Sequence, residues 1–99
     1  MEETKGWRIG IRQGDKIETL ADTTDLMVSK NYKDRFKAEY YQLKIRFVKL
    51  GTMVKNWEEG KLDFTPTCSK VIYERQLNAM ADYILVLEKR AKIEGIELN

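Results

Sequence analysis

Basic and aromatic side chains are interleaved along one stretch of the sequence, between Asn31 and Trp57. Aromatic rings stack on nucleotide bases, and lysine or arginine side chains pair with phosphates, so this mixture favours a ligand that has both groups. A helix should begin at the start of this stretch. The free N–H groups at the helix start and the helix dipole also favour an anion there. The candidate ligand-binding residues in it are Tyr32, Lys33, Arg35, Tyr41, Arg46 and Lys49.

The same residues also have a purely structural interpretation. Tyr40 fits the contact between two helices, Tyr41 fits a contact between subunits, and the lysines fit a solvated helix face. Charged residues make up 34% of the chain but nearly balance, with a net charge of +2. Because the first thirty residues also lean acidic, a nucleic-acid-binding protein is disfavoured.

Covalent catalysis would have to start from Cys68 or a hydroxyl group. Cys68 is the only cysteine and the chain has no histidine, so the usual base partner of a nucleophile is missing. An intramolecular disulfide and the usual zinc ligand sets within one chain are excluded for the same reason. The adjacent carboxylates of Glu58 and Glu59 are typical of a solvated helix end. We therefore expect a binding protein rather than an enzyme, with no metal site and no cofactor.

Two rows of apolar residues must position these side chains. Each row advances by alternating steps of four and three, which predicts two helices that pack along one seam. Together they predict an antiparallel two-helix hairpin. The rows consist of Phe36, Tyr40, Leu43, Phe47, Leu50, Val54 and Trp57 in the first helix, and of Tyr73, Leu77, Met80, Ile84, Leu87 and Ala91 in the second.

The ends of both helices have sequence signals. Asn31 should cap the first helix, and Gly60 should follow its C-terminus in a left-handed conformation. Thr65-Pro66 predicts the start of the second helix, with Thr67 or Ser69 as alternative caps and Gly95 as the stop. In the connection, Leu62 and Phe64 are expected to cover the end of the seam.

The second helix has a further row beside its seam, which we call the outer row. A hairpin of two helices has a thin core, and this additional apolar surface exceeds what one hairpin buries. A homo-oligomer is therefore expected. The outer row consists of Ile72, Gln76, Ala79, Tyr83 and Val86.

Residues 1–30 are predicted to form an N-terminal extension, and residues 31–99 the helical hairpin domain. In the extension, alternating residues from Trp7 to Ile11, a turn at Gln13–Lys16 and a return over Ile17–Leu20 suggest a short β-hairpin, with disorder as the alternative. Residues 22–25 should form a turn, or a cap for a short helical piece through Leu26 and Met27. No apolar run resembles a signal peptide or a membrane span, so a soluble protein of the cytoplasm is expected.

From Asn31 onward, the chain resembles small phage proteins related to an uncharacterised product of crAss-like phages. The layout is in turn similar to the helical hairpin of phage anti-CBASS and anti-Thoeris sponges, which bind cyclic nucleotide signals of bacterial defence without cleaving them. The stretches that carry the resemblance are Tyr32–Arg35, Glu39-Tyr40, Leu43-Lys44, Gly60–Cys68, Gln76–Met80 with Tyr83, and Leu87–Ile96.

The resemblance implies roles for particular residues. In the anti-CBASS sponges a tyrosine near the start of the long helix stacks on a base, and a later lysine meets the phosphate; Tyr32 and Lys49 occupy comparable places, with a spacing two residues longer. In the anti-Thoeris proteins, an aromatic residue in the connection and arginines on the last helix contribute to the ligand pocket. The resemblance implies this role for Phe64 and Arg90. The implied function is sequestration of a cyclic di- or trinucleotide, or of a cyclic ADP-ribose derivative, in the cytoplasm of an infected bacterial host.

The expected protein is thus an all-α hairpin with a short N-terminal extension that forms a homo-oligomer, with a hexamer as one candidate size. The alternative is a structural or protein-binding hairpin that inhibits or scaffolds a host protein through its second apolar rows. These are the outer row and a shorter row on the first helix, Tyr41, Ile45 and Val48.

Overall fold

In a computed structural model, which describes residues 17–98, two long helices form an antiparallel hairpin. A 3-10 turn at Leu20–Thr23 leads into the short helix α1, Thr24–Met27, and the long helices are α2, Tyr32–Glu58, and α3, Lys70–Glu94. The described residues contain helices and no strand. None of these helices has the length and apolar character that crossing a membrane requires.

Contacts between distant residues define the antiparallel arrangement. The Tyr40 hydroxyl donates a 2.7 Å hydrogen bond to Glu88, and the rings of Trp57 and Tyr73 meet edge to face at 6.1 Å. The start of α2 therefore lies beside the end of α3, as the two apolar rows predict. At about 1.5 Å per residue, α2 should be roughly 40 Å long, in agreement with the longest dimension of the chain, 43 Å.

The core lies along the predicted seam. In α3 the predicted row is the row that packs inward, with Leu77, Ile84, Leu87 and Ala91 buried and Tyr73 and Met80 partly buried. In α2, two of the buried positions lie one residue after the predicted ones. Lys44 and Gly51 are buried, whereas Leu43 and Leu50 are only partly buried. The buried row of α2 facing the seam consists of Phe36, Tyr40, Lys44, Phe47, Gly51 and Val54.

The ends of the helices confirm two of the predicted signals and correct a third. Gly60 and Gly95 both have a φ of 71°, the left-handed conformation that glycine adopts without a steric penalty. The expectation that α3 begins at Thr65-Pro66 is wrong, and the alternative cap Ser69 is confirmed, because Ser69 occupies the N-cap position and α3 begins at Lys70. Residues 59–69 form the connection between α2 and α3.

Asn31 caps α2 as predicted, since its side-chain oxygen accepts a 2.8 Å hydrogen bond from the backbone N–H of Lys33. We expect Asn31→Ala to lower the free energy of unfolding by about 1 kcal/mol, because one N–H group at the helix start loses its partner. Ser69→Ala is the matched control, since the Ser69 side chain makes no capping bond. Equal losses for both variants in urea unfolding would contradict this assignment.

The segment before α2 packs on α2. Backbone N–H groups of Glu18 and Thr19 donate to the Asp22 carboxylate, and these bonds lower the pKa of Asp22. Thr23 is fully buried, and its hydroxyl accepts a 2.8 Å hydrogen bond from the Gln42 amide. The predicted short helical piece through Leu26 and Met27 is present as the end of α1, and the 3-10 turn precedes α1. The predicted β-hairpin lies mostly outside the described residues, and Leu20 at the end of its return strand begins the 3-10 turn instead.

Candidate functional site

Two of the predicted ligand-binding residues, Tyr32 and Arg90, meet where the start of α2 lies beside the end of α3. The Arg90 guanidinium donates a 2.8 Å hydrogen bond to the Tyr32 hydroxyl, although 58 residues separate the two in sequence. Antiparallel packing brings them together, because it places the first turn of α2 against the last turns of α3. The Tyr32 ring is 48% exposed, so it presents a surface to a planar ligand.

Phe36 and Glu94 complete what we call the aromatic–arginine cluster, formed by Tyr32, Phe36, Arg90 and Glu94. The Arg90 guanidinium carbon lies 5.0 Å from the centre of the Phe36 ring, and Phe36 meets Tyr32 edge to face at 6.3 Å. Glu94 accepts hydrogen bonds from both Arg90, at 3.2 Å, and the Tyr32 hydroxyl, at 3.0 Å. These contacts place the Tyr32 hydroxyl, the Arg90 guanidinium and the Glu94 carboxylate side by side.

The electrostatics of the cluster favour an anion that can replace Glu94. The hydrogen bond with Glu94, together with the neighbouring Tyr32, raises the pKa of Arg90. The guanidinium thus keeps its charge, and its planar set of donors suits bidentate contact with a phosphate. Because Glu94 already pairs with Arg90, an incoming phosphate would compete with this carboxylate for the same donors.

Lys33 and Arg35 lie near this end of the hairpin but have other partners. The Lys33 ammonium is 3.5 Å from the carbonyl oxygen of Gly95, and the Arg35 guanidinium donates a 2.8 Å hydrogen bond to the carbonyl oxygen of Ser29. Both side chains are exposed. They add positive charge close to the aromatic–arginine cluster without being part of its hydrogen-bond network.

The remaining predicted residues lie elsewhere. Tyr41 is 5% exposed and packs edge to face on Tyr40, so its ring is covered within the protomer. Arg46 and Lys49 are exposed farther along α2, and Lys49 lies roughly 26 Å from Tyr32 at 1.5 Å per residue. Phe64 is in the connection at the other end of the hairpin. It is 56% exposed, so the expectation that it covers the end of the seam is wrong.

A groove lies on the opposite flank of α3 from Arg90, and we call it the lysine groove. Its volume is about 620 Å³. The Lys44 ammonium sits 5.6 Å from the centre of the Tyr40 ring, and Lys44 is 8% exposed. The groove mixes cations with carboxylates and an aromatic wall, so it is a second surface able to hold a small anionic ligand. Its lining consists of Tyr40, Lys44, Glu88, Lys89, Ala91, Lys92, Ile96, Glu97 and Leu98.

One residue of the outer row, Tyr83, forms a hydroxyl–carboxylate pair with α2. The Tyr83 hydroxyl donates a hydrogen bond to the Glu39 carboxylate, and this bond raises the pKa of Tyr83. It links α3 to α2 one heptad away from the contact between Arg90 and Tyr32. Within residues 17–98 no group of three metal-ligating side chains converges.

The cluster contains two residues that were not predicted as part of a site. Phe36 was assigned to the seam, and Glu94 was not singled out. The available signal was the four-residue spacing of Tyr32 and Phe36 on one helix and of Arg90 and Glu94 on the other. Residues four apart share a helix face, so two such pairs on antiparallel helices form a four-residue cluster.

The fold and the cluster define a helical hairpin with an exposed aromatic ring beside a cation. Residues 30–93 match the Sequestin family, and the chain belongs to that family. The match covers α2, the connection and nearly all of α3. The family's name indicates sequestration and specifies no ligand. Comparisons with curated proteins and with solved structures give no match.

Proposed function

We propose that this protein sequesters a cyclic nucleotide, binding it in a homo-oligomer without cleaving it. The observation that carries the proposal is the contact between Tyr32 and Arg90, which sets an exposed aromatic ring beside a charged guanidinium. A nucleotide needs both groups, because its base stacks on a ring and its phosphate pairs with a cation. Membership of the Sequestin family supports binding as the function.

In the proposed complex, a base stacks on Tyr32 and a phosphate takes the place of Glu94 on Arg90. Lys33 and Arg35 add positive charge near the phosphate. A cyclic ligand suits a preorganised site, since a closed ring loses little conformational freedom on binding. Lys49 and Arg46 lie too far along α2 to reach the same nucleotide from the same protomer, so any role for them requires another subunit.

Sequestration without cleavage is part of the proposal. The chain has no histidine to act as general base, and its only cysteine is Cys68. Glu94 is the carboxylate in the aromatic–arginine cluster, and when a phosphate takes its place on Arg90 it keeps the hydrogen bond from the Tyr32 hydroxyl. Among residues 17–98, the proposed site thus offers cations and a stacking surface, with its carboxylate held by Tyr32 rather than by a water. A ligand should leave this protein chemically unchanged.

The phage origin and the place of action belong to the same proposal. A protein that removes a nucleotide signal of bacterial defence would serve a phage, and it would act in the cytoplasm of the infected host. The ligand classes to test are cyclic dinucleotides, cyclic trinucleotides and cyclic ADP-ribose derivatives.

The first experiment is a thermal-shift screen of the full chain against these nucleotides, with linear analogues as controls. A ligand that binds only the folded state raises its stability by RT ln(1 + [L]/Kd), about 2.7 kcal/mol at a hundredfold excess over Kd. We expect one cyclic class to raise the melting temperature. Mass spectrometry of the ligand released by denaturation should then recover it intact. No shift with any cyclic nucleotide, or recovery of a hydrolysed product, would contradict the proposal.

One observation favours a second candidate function, binding to a host protein. The outer row exposes apolar side chains on α3, including Ile72 at 47% and Val86 at 54%. Exposed apolar surface of this kind is typical of a protein interface. A hairpin that inhibits or scaffolds a host protein would use this surface and would bind no nucleotide, so the same screen separates the two candidates.

A further inference from the structure

The outer row extends over almost the whole length of α3. Beyond Val86 the same alternation of four and three residues continues to Arg90 and Ile93, and Ile93 is 78% exposed. A row with this period presents a straight edge to another helix. In the protomer α2 packs on the seam of α3, and the apolar side chains of the outer row stay exposed. The outer row therefore has the pattern of a helix-packing surface.

We propose that the outer row packs antiparallel on the outer row of a second copy of this chain, around a two-fold axis near Ala79. A symmetric dimer uses the same surface twice, and a single row with this period suits such pairing. Ala79, which would lie at this axis, is exposed, and its small side chain would allow the two backbones to approach closely. On either side, Ile72 would pack against the partner's Tyr83 and the partner's Val86.

The charges beside the outer row select this register. Arg75, Asp82 and Lys89 follow one another at intervals of seven residues along one edge of the row, and all three are exposed. In an antiparallel pair, equivalent edges of the two helices face each other. With the axis near Ala79, Arg75 faces the partner's Asp82. The two-fold symmetry also places Asp82 opposite the partner's Arg75, so the dimer would contain two such ion pairs. Within residues 17–98, neither the Arg75 side chain nor the Asp82 side chain forms an ion pair or a side-chain hydrogen bond.

Two other registers are less favourable. An axis near Asp82 would place this carboxylate against its own copy and Arg75 against the partner's Lys89, so every facing pair would repel. An axis near Val86 would pair Asp82 with the partner's Lys89, but it would move Arg90 toward the middle of the interface. Because Arg90 already pairs with Glu94 and Tyr32, burying this charge would carry a desolvation penalty.

The proposed register has a consequence for the ligand site, and this step rests on the proposed function. Arg90 is eleven residues beyond Ala79, or roughly 17 Å along the helix. Lys70 is nine residues before Ala79, or roughly 14 Å in the other direction. The aromatic–arginine cluster therefore lies next to the connection of the partner subunit. That connection exposes Phe64. The partner's Phe64 would supply a second aromatic surface to the site, so a complete site requires both copies.

Charge reversal tests the register, measured by sedimentation equilibrium of the full chain without nucleotide. Arg75→Glu should weaken association about tenfold, because two exposed ion pairs per dimer become repulsive. Asp82→Arg should do the same, and the double variant should restore association. Lys89→Glu is the matched control and should leave association unchanged. A monomeric parent at micromolar concentrations, or a loss with Lys89→Glu and none with Arg75→Glu, would overturn the proposal.

Crosslinking locates the axis independently. With the exposed Cys68 replaced by serine, Ala79→Cys should form an intermolecular disulfide under mild oxidation, since equivalent side chains meet near a two-fold axis and a disulfide needs Cα atoms within about 7 Å. Val86→Cys should crosslink poorly. The reverse order of crosslinking would place the axis near Val86 and overturn the proposal.

The contribution of Phe64 is tested on nucleotide binding. Phe64→Ala should weaken binding by about tenfold through lost stacking, with association in the absence of nucleotide unchanged. If the parent binds nucleotide and Phe64→Ala binds equally well, the shared site is wrong. If the charge reversals behave as expected but no nucleotide binds the parent, the interface stands and only the proposed function falls.

Discussion

Arg90→Gln is expected to weaken nucleotide binding by about 1.5 to 3 kcal/mol, or roughly ten- to more than a hundredfold in Kd. The guanidinium is the cation that the structure holds beside the exposed Tyr32 ring, and glutamine can supply neither its charge nor its fork of donors. Isothermal titration calorimetry with the nucleotide found in the screen measures the change.

The same substitution should alter folding stability much less. The ion pair of Arg90 with Glu94 is partly exposed, at 44% and 33% of the two side chains, and exposed pairs contribute at most about 1 kcal/mol. Unfolding in urea should therefore separate a lost ligand contact from a damaged fold. A loss of binding accompanied by unfolding would leave Arg90 unsupported as the phosphate-binding cation. In that case Arg90→Lys provides a milder variant, which keeps the charge but loses the planar donors.

Lys89→Gln is the matched control for the site. Lys89 is adjacent to Arg90 in sequence but lines the lysine groove on the opposite flank of α3. The two substitutions remove the same charge from neighbouring positions, so general electrostatic attraction changes equally in both. If Lys89→Gln abolishes binding and Arg90→Gln does not, the nucleotide binds in the lysine groove.

Glu94→Gln provides a companion variant with the opposite expected sign. Glu94 occupies the donors of Arg90 and the hydroxyl of Tyr32. Removing its negative charge removes the competitor of an incoming phosphate, so affinity should rise or stay the same while Arg90→Gln lowers it. A parallel loss in both variants would mean that the pairing with Glu94 is needed to hold Arg90 in place.

The helices were predictable because their signals are local. The row from Tyr73 to Ala91 on α3 repeats regularly enough that the residues it places inward are the buried and partly buried ones. Asn31, Gly60 and Gly95 also act through backbone conformations within a few residues. The start of α3 was less sharply defined, because Thr65, Thr67 and Ser69 all have residue types suited to a helix cap. The structure selects Ser69 among these alternatives.

The candidate site was less predictable because it depends on the register between two helices. The sequence singles out Tyr32 and Arg90, but their separation of 58 residues gives no indication that they touch. The heptad rows predict that the helices pack without fixing which turn of α2 faces which turn of α3. Lys44 shows the same difficulty. Its residue type indicates a solvated cation, whereas it is buried with its ammonium near the Tyr40 ring.

The largest stability loss is expected for Phe47→Ala. Phe47 is 1% exposed in the middle of α2, where it belongs to the core that joins the two helices. Replacing a buried phenylalanine with alanine removes its apolar surface from the core and leaves a cavity, at a cost of about 3 to 5 kcal/mol. Small domains have total stabilities of about 5 to 15 kcal/mol, so this variant should lose a large fraction of the free energy of unfolding.

Phe64→Ala is the matched control for this prediction, because the same atoms are removed from a side chain that is 56% exposed. Without ligand, its free energy of unfolding should change by no more than about 0.5 kcal/mol. Urea unfolding followed by circular dichroism measures both variants at one protein concentration, since association would otherwise add to the apparent stability. If the two variants lose similar amounts, Phe47 does not hold the hairpin together. A large loss at Phe47 alone means that the hairpin core forms within each protomer, so the outer row of α3 remains free for the proposed contact with a second copy.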